Sequence, residues 1–316
     1  MLLFTEPVPR PALWGGTLLR DYFHYPQFPD GIGQSWSFSA QEGEGLSNRI
    51  AGMEGMTLLN LWEERPELFC SRHKRFPVII SLVAPEDDLS LQIHPNARIS
   101  ARLGYPTGKN EAWYFLDTKC NAQIVYGQNA HDEAQLREMI AADRWDEIMR
   151  YLPVQKGDFV YLPAGVVHAL KKGSIVYEIQ QATDITYRFF DYHRVDAQGR
   201  ERPLQLEEAI GCVDYTLTQS GAKRPGITHA FPHASVTTFV ANDSFCVRRY
   251  EVFGTETFHF DGYQLMTCVA GKGTADGQAL SMGKSVLITA CSETTFTGQM
   301  TLMCTCEQWA KCLCRP

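Results

Sequence analysis

Gly157-Asp158-Phe159-Val160-Tyr161-Leu162-Pro163-Ala164-Gly165-Val166-Val167-His168 sets a short apolar run between two glycines and ends on a histidine. Aromatic and β-branched residues bounded by glycine turns read as a strand, with His168 opening the next one. Upstream, Asp88-Leu89-Ser90-Leu91-Gln92-Ile93-His94 alternates. Successive side chains of a strand point to opposite faces, so Ser90, Gln92 and His94 share one face and Leu89, Leu91 and Ile93 the other. Glu111 to Leu116 has strand composition again and sets Lys109, Glu111 and Trp113 on a common face. Gln92, His94, Glu111 and His168 together form a mixed nitrogen and oxygen ligand set. Such a set suits one zinc ion, or less selectively manganese, iron, cobalt or nickel.

Outward from this centre the chain is mostly short strands. Leu13-Trp14-Gly15-Gly16 is a tight turn, Gly33 to Ser39 alternates like a strand, and Phe76 to Val83 is an apolar β-branched run that feeds the Asp88 stretch. Ile175 to Gln180 alternates with Glu178 and Gln180 facing one way, and Thr186 to Phe190 is the next strand. Helical spacing appears at Met56 to Phe69, with Thr57 as N-cap, weakly at Leu204 to Ile210, and as two helices within Asn129 to Leu152 that meet near Asp143. The polar excursion between His94 and Glu111 fits a loop with a short helix. Pro225-Gly226 through Pro232 reads as a linker. Beyond it, Gly283-Lys284-Ser285-Val286-Leu287-Ile288-Thr289-Ala290 parallels Gly157 to Ala164, but Thr289 and Thr294 stand where proline and histidine would be. At 316 residues one large and one small unit are expected: 1–230 with the metal site and helical insertions, and 231–316 as a smaller barrel without it.

A formal charge of −7 opposes general affinity for nucleic acid, and no apolar run reaches membrane-spanning length. A small-molecule partner is expected, and no protein partner is evident. The start Met1-Leu2-Leu3-Phe4 lacks the basic region and long apolar run of an export signal, which predicts a cytoplasmic protein with mostly free thiols among its ten cysteines. Seven of these follow residue 245. The pairs Cys304/Cys306 and Cys312/Cys314 are spaced too tightly for a zinc knuckle and read as small buried residues, leaving the C-terminal unit metal-free.

A lone strand histidine is as readily a satisfied core residue as a ligand, and the combination is what carries weight. Gly-x5-Pro-x-Gly-x2-His around His168 resembles the second cupin motif, with Lys172 in place of its asparagine. Gln92-x-His94 followed at a distance by Glu111 resembles an altered first motif. The order Gln-x-His-Pro, Lys-x-Glu and cupin histidine, together with Leu13 to Gly16, Tyr126-Gly127, and Glu178 to Arg188, is similar to the type I mannose-6-phosphate isomerases, in their short bacterial branch. The resemblance implies an all-β-dominated fold: a cupin jelly-roll barrel with inserted helices, then a smaller degenerate jelly roll.

The resemblance further implies zinc on Gln92, His94, Glu111 and His168, and a sugar-phosphate pocket lined by Lys109, Glu178 and Arg188, with Ser90 as a further substrate-binding residue. It implies interconversion of mannose 6-phosphate and fructose 6-phosphate by proton transfer between C1 and C2 through a cis-enediol. The residue types suit this chemistry. A dication polarises sugar oxygens, Glu178 or Lys109 can carry the proton, and Arg188 offers a planar fork for phosphate. In the family pattern a lysine stands at Ser81, an aspartate at Ala84 and a glutamate at Gln34; all three replacements remove charge. Two other readings stay open: a non-catalytic or altered-specificity sugar-phosphate-binding cupin, and a cupin oxygenase, which normally has a richer histidine set. A structural Glu178 to Arg188 salt bridge would argue against the catalytic reading.

Overall fold

The computed structural model describes all residues except 184, 196–197, 308–311 and 314–316. Two antiparallel sheets form the barrel. The six-stranded sheet runs in the order Val8–Gly16, Ile32–Phe38, Val78–Val83, Ser174–Gln181, Glu111–Thr118, Phe159–Leu162. The five-stranded sheet runs Tyr187–Phe190, Leu91–Ile93, His168–Ala169, Gln123–Gln128, Met149–Pro153.

Strand parity decides what faces the barrel interior. Along Ser174–Gln181, Val176 lies opposite Phe115, Glu178 opposite Trp113 and Gln180 opposite Glu111. This face is therefore apolar at one end and polar at the other. The apolar end packs Phe115, Val160, Leu162, Val176, Ile124 and Leu170 together. The alternate residues Ile175, Tyr177 and Ile179 face outward, yet they too are buried, because the C-terminal sheet and the helices Leu18–Phe23 and Leu58–Glu64 cover them. A strand covered on both faces explains the near-continuous apolar run. On the other sheet, helices Glu133–Ala141, Trp145–Ile148 and Leu206–Ile210 bury Leu91, Ile93, Val125 and Phe189.

Nine strands make the C-terminal sheet, which has its own core around Phe258, Phe296, Tyr250 and Leu302. The parallel between the two glycine turns is visible: Gly157 and Gly283 have φ of 89° and 87°, each just before a strand, Phe159–Leu162 and Ser285–Ile288. In the second unit Thr289 accepts a hydrogen bond from the N-terminal amine at 3.0 Å, and Thr294 lies buried in strand Ser292–Cys306. Cys246, Cys304 and Cys306 are buried, as expected of small apolar residues. The side chain of Cys312, and Cys314 altogether, lie outside the described residues.

The structure differs from the sequence reading in four details. The linker read at Pro225 to Pro232 is strand Ile227–Phe231, paired antiparallel with Ala234–Ala241; its alternating Ile-Thr-His-Ala-Phe outweighs the preceding Pro-Gly. Strand Leu2–Thr5 pairs with Ser285–Ile288, so chain from both ends of the 1–230 stretch lies in the C-terminal sheet. The helical segment ending at Leu152 stops at Ile148, after which Met149–Pro153 is a strand. Finally, the strand read over Asp88 to His94 shortens to Leu91–Ile93. Residues before it follow a loop in which Leu89 N donates to Leu170 O, which brings Leu89 to the same cavity as Ser90 despite their opposite parity. Among the described residues no helix is long and apolar enough to cross a membrane.

Candidate active site

Neighbouring strands bring the site residues into one row. In the five-stranded sheet Gln92 lies opposite His168 on one side and opposite Arg188 on the other. Glu111 and Glu178 come from the facing sheet. His94, at the end of Leu91–Ile93, and His168 are each 1% exposed and Glu111 is 2% exposed. At such burial each polar atom needs a partner.

The hydrogen bonds fix which atoms are free. His94 Nδ1 lies 2.7 Å from Ile185 O and His168 Nδ1 lies 3.0 Å from Val166 O. A backbone carbonyl can only accept, so both Nδ1 atoms carry a proton, and a neutral ring in this orientation presents its Nε2 lone pair. Those lone pairs face Glu111: His94 Nε2 is 3.2 Å from Oε1 and His168 Nε2 is 3.4 Å from Oε2. Burial, and next the charge of Lys109, push His94 down to about 4, so its ring is neutral near pH 7. Burial alone would raise Glu111, but the cationic form of His94 and the Lys109 ammonium outweigh it and hold the carboxyl well below its ordinary range. His94 Nε2 and Glu111 Oε2 have no hydrogen-bond partner. Gln92 adds its amide, with Nε2 3.4 Å from His168 Nε2; a rotation by half a turn exchanges that nitrogen for the carbonyl oxygen.

Two ring nitrogens and the unpartnered Glu111 Oε2 thus converge, and the Gln92 amide brings its oxygen to the same point once turned. That arrangement is repulsive until a cation sits between them, and the Nδ1–H to carbonyl bonds are the outer-shell support that metal-binding histidines use. The spacings also fit, since donors sharing an ion at bonds of roughly 2.0–2.2 Å lie about 3.3–3.5 Å apart. The residues present fit a divalent metal ion. Among the described residues, His94, Glu111 and His168 form the one group of three His, Cys, Asp or Glu side chains close enough to share an ion.

A cavity of about 280 Å³ opens beside this group, lined by Ser90, Gln92, Lys109, Glu111, Glu178 and Arg188 among others. Lys109 is 5% exposed; its Nζ lies 3.3 Å from Glu111 Oε1 and 3.4 Å from Thr186 Oγ1. Glu178 accepts from Trp113 Nε1 at 2.9 Å and from Ser81 Oγ at 3.2 Å. Burial first, and then the charge of Glu111, push its carboxyl up to about 7. Arg188 donates from Nε to Ser90 Oγ at 3.3 Å and from Nη1 to Pro203 O at 3.1 Å. Burial and the neighbouring Arg202 lower its pKa. Among the described residues no carboxylate pairs with Arg188, so a structural salt bridge to Glu178 is absent.

Sequence reading missed Arg202. It lines the same cavity and is held by Asp191, with both Nε and Nη2 2.6 Å from carboxylate oxygens. Arg194 holds the same carboxylate from the other side. Arg202 lies in a non-strand segment where parity gives no direction, so only its contact with Asp191 identifies it.

The barrel and its converging side chains define a cupin-like fold whose buried His94, Glu111 and His168 could hold a metal ion. No family model matches the chain. It is 35% identical over 276 residues to the mannose-6-phosphate isomerase ManA of Bacillus subtilis, covering 86% of each. It is 33% identical over 274 residues to the mannose-6-phosphate isomerase of Streptococcus mutans, covering 86% of this chain and 85% of that one. The crystal structure of mannose 6-phosphate isomerase from Bacillus subtilis superposes with a TM-score of 0.90 at 30% identity, covering 96% of this chain and 99% of that one. The chain belongs to the mannose-6-phosphate isomerase family.

Proposed function

We propose that this enzyme interconverts mannose 6-phosphate and fructose 6-phosphate through a cis-enediol, with zinc held by Gln92, His94, Glu111 and His168. The observation that carries this reading is the pairing, across one small cavity, of the electron-rich ligand group with the guanidinium of Arg188. A sugar phosphate has both matching ends: vicinal oxygens for a metal and a dianion for arginine. When bound, the ion supplies Lewis-acid polarisation of the sugar oxygens. Glu178 takes the proton from C2 or C1 and returns it to the other carbon. A carboxyl pushed up to about 7 is matched to exchange near neutral pH. Its fixed bonds to Trp113 and Ser81 leave lone pairs on both oxygens and hold the group in place. Lys109, kept beside Glu111, donates to a sugar oxygen and offsets negative charge developing on it. Ser90 orients Arg188 through its hydroxyl.

The set of two histidines with Gln92 and Glu111 does not favour an oxygenase, and an arginine without a carboxylate partner has no role there. Arg188→Ala is expected to lower kcat/KM for mannose 6-phosphate by about 100-fold, on the order of 3 kcal/mol, with metal content unchanged. Arg188→Lys recovers part, since a point charge cannot reproduce the fork. A coupled isomerase assay with metal analysis of each variant tests this; near wild-type turnover in a folded Arg188→Ala protein would place the phosphate elsewhere, with Arg202 the next candidate.

A further inference from the structure

The cysteines that the site does not use include two exposed ones on adjoining turns. Cys70 follows the turn Pro66–Leu68, and Cys291 lies between strands Ser285–Ile288 and Ser292–Cys306 of the C-terminal sheet. Ala290 N donates to Leu68 O at 2.7 Å and ties the two turns together. That bond ends two residues before Cys70 and one before Cys291, so the two thiols lie close enough to feel each other's charge. Each sulfur also donates to a carbonyl of its surroundings, Cys70 to Glu67 O at 3.4 Å and Cys291 to Asp261 O at 3.6 Å. Both residues have left-handed backbones, with φ of 49° and 52°, a region that non-glycine residues occupy when neighbouring structure fixes them there. Two thiols on adjoining fixed turns, both open to solvent, are placed for mutual oxidation.

We propose that Cys70 and Cys291 form a reversible intramolecular disulfide that staples the Pro66–Leu68 turn to the C-terminal sheet. The oxidant is a low-molecular-weight disulfide, RSSR. One protein thiolate attacks it, forming a mixed disulfide and expelling one RS⁻. The second protein thiolate attacks the protein sulfur of that mixed disulfide and expels the second RS⁻. Two S–H bonds are lost, one S–S bond forms, and RSSR is reduced to two RSH once the released protons are taken up. An exposed bond of this kind is readily reduced again, which makes it a labile cross-link. It closes a loop over most of the chain, so it restricts the unfolded state far more than the folded one. Neither cysteine lines the catalytic cavity, so the effect falls on stability and leaves turnover alone.

The test treats the full-length, metal-loaded protein with excess oxidised glutathione at pH 8, blocks remaining thiols and analyses non-reduced peptides by mass spectrometry. The expected product joins the Cys70 and Cys291 peptides, disappears with dithiothreitol, and raises Tm by about 3 °C or more. Cys120, the other exposed cysteine among the described residues, serves as the internal control and stops at a mixed disulfide with glutathione. Cys70→Ser should keep wild-type turnover, lose the Tm rise, and leave Cys291 as a glutathione adduct. Separate glutathione adducts on Cys70 and Cys291 in the wild type, or both thiols remaining free while Cys120 reacts, would overturn the proposal.

Discussion

Glu178→Gln is expected to lower kcat by about 100- to 10,000-fold while the fold and metal content stay as in the wild type. Glutamine keeps the shape: its carbonyl oxygen can accept from Trp113 Nε1 while its NH2 donates to Ser81 Oγ, so the barrel wall is preserved. What it cannot do is accept a proton from carbon. The pH dependence gives the sign independently. Abstraction needs the ionised carboxylate, and burial with the nearby Glu111 charge pushes the group up to about 7. Wild-type kcat/KM therefore rises with pH through the region up to about 7 and levels above it. A dication in the cavity favours the ionised form, so the metal-loaded inflection falls at or below that value. Ser81→Lys should lower it further, because an ammonium replaces a hydroxyl beside Oε2. Pre-steady-state loss of solvent proton exchange at C2 in Glu178→Gln would tie the defect to proton transfer. If instead Glu178→Gln turns over normally and Lys109→Gln does not, the proton carrier is Lys109.

Parity made most of the site legible. Gln92, Glu111, Glu178 and Gln180 lie on strands whose inward face reads directly from alternation, and the structure aligns them row by row. His168 was legible because a glycine turn precedes it. Where the backbone leaves regular strand geometry, parity loses meaning: Leu89 joins Ser90 at the cavity, and Arg202 reaches it from a segment with no face at all. The state of Glu178 was not legible either. A missing lysine at Ser81 could be noticed, but its consequence depends on Ser81 lying directly across the ladder from Glu178, a pairing between residues nearly a hundred positions apart. The strands at the chain's start and at Ile227–Phe231 were hidden for a similar reason, since their partners in the C-terminal sheet are chosen by topology and not by local pattern.

The second large effect is expected at the ligand group. His168→Ala should leave the purified protein without stoichiometric metal and without measurable isomerase activity, while circular dichroism and Tm stay close to the wild type. The loss of affinity should exceed the roughly 10- to 100-fold that removing an outer-shell group costs, because a donor itself is gone. Alanine also releases the Val166 carbonyl, removing the bond that aims the ring. The fold survives for an electrostatic reason. Without the ion, Glu111 keeps a charge partner in Lys109 at 3.3 Å, so no isolated carboxylate is left in the barrel. The apolar end around Phe115, Val160 and Val176 carries the packing and contains no ligand. Lys109→Ala/His168→Ala removes that compensation and should fall well below His168→Ala in Tm, which separates loss of metal from loss of structure. Elemental analysis of protein purified with added zinc decides the matter: one full equivalent retained in folded His168→Ala would mean that the ion is held without this imidazole and that the four-ligand assignment is wrong.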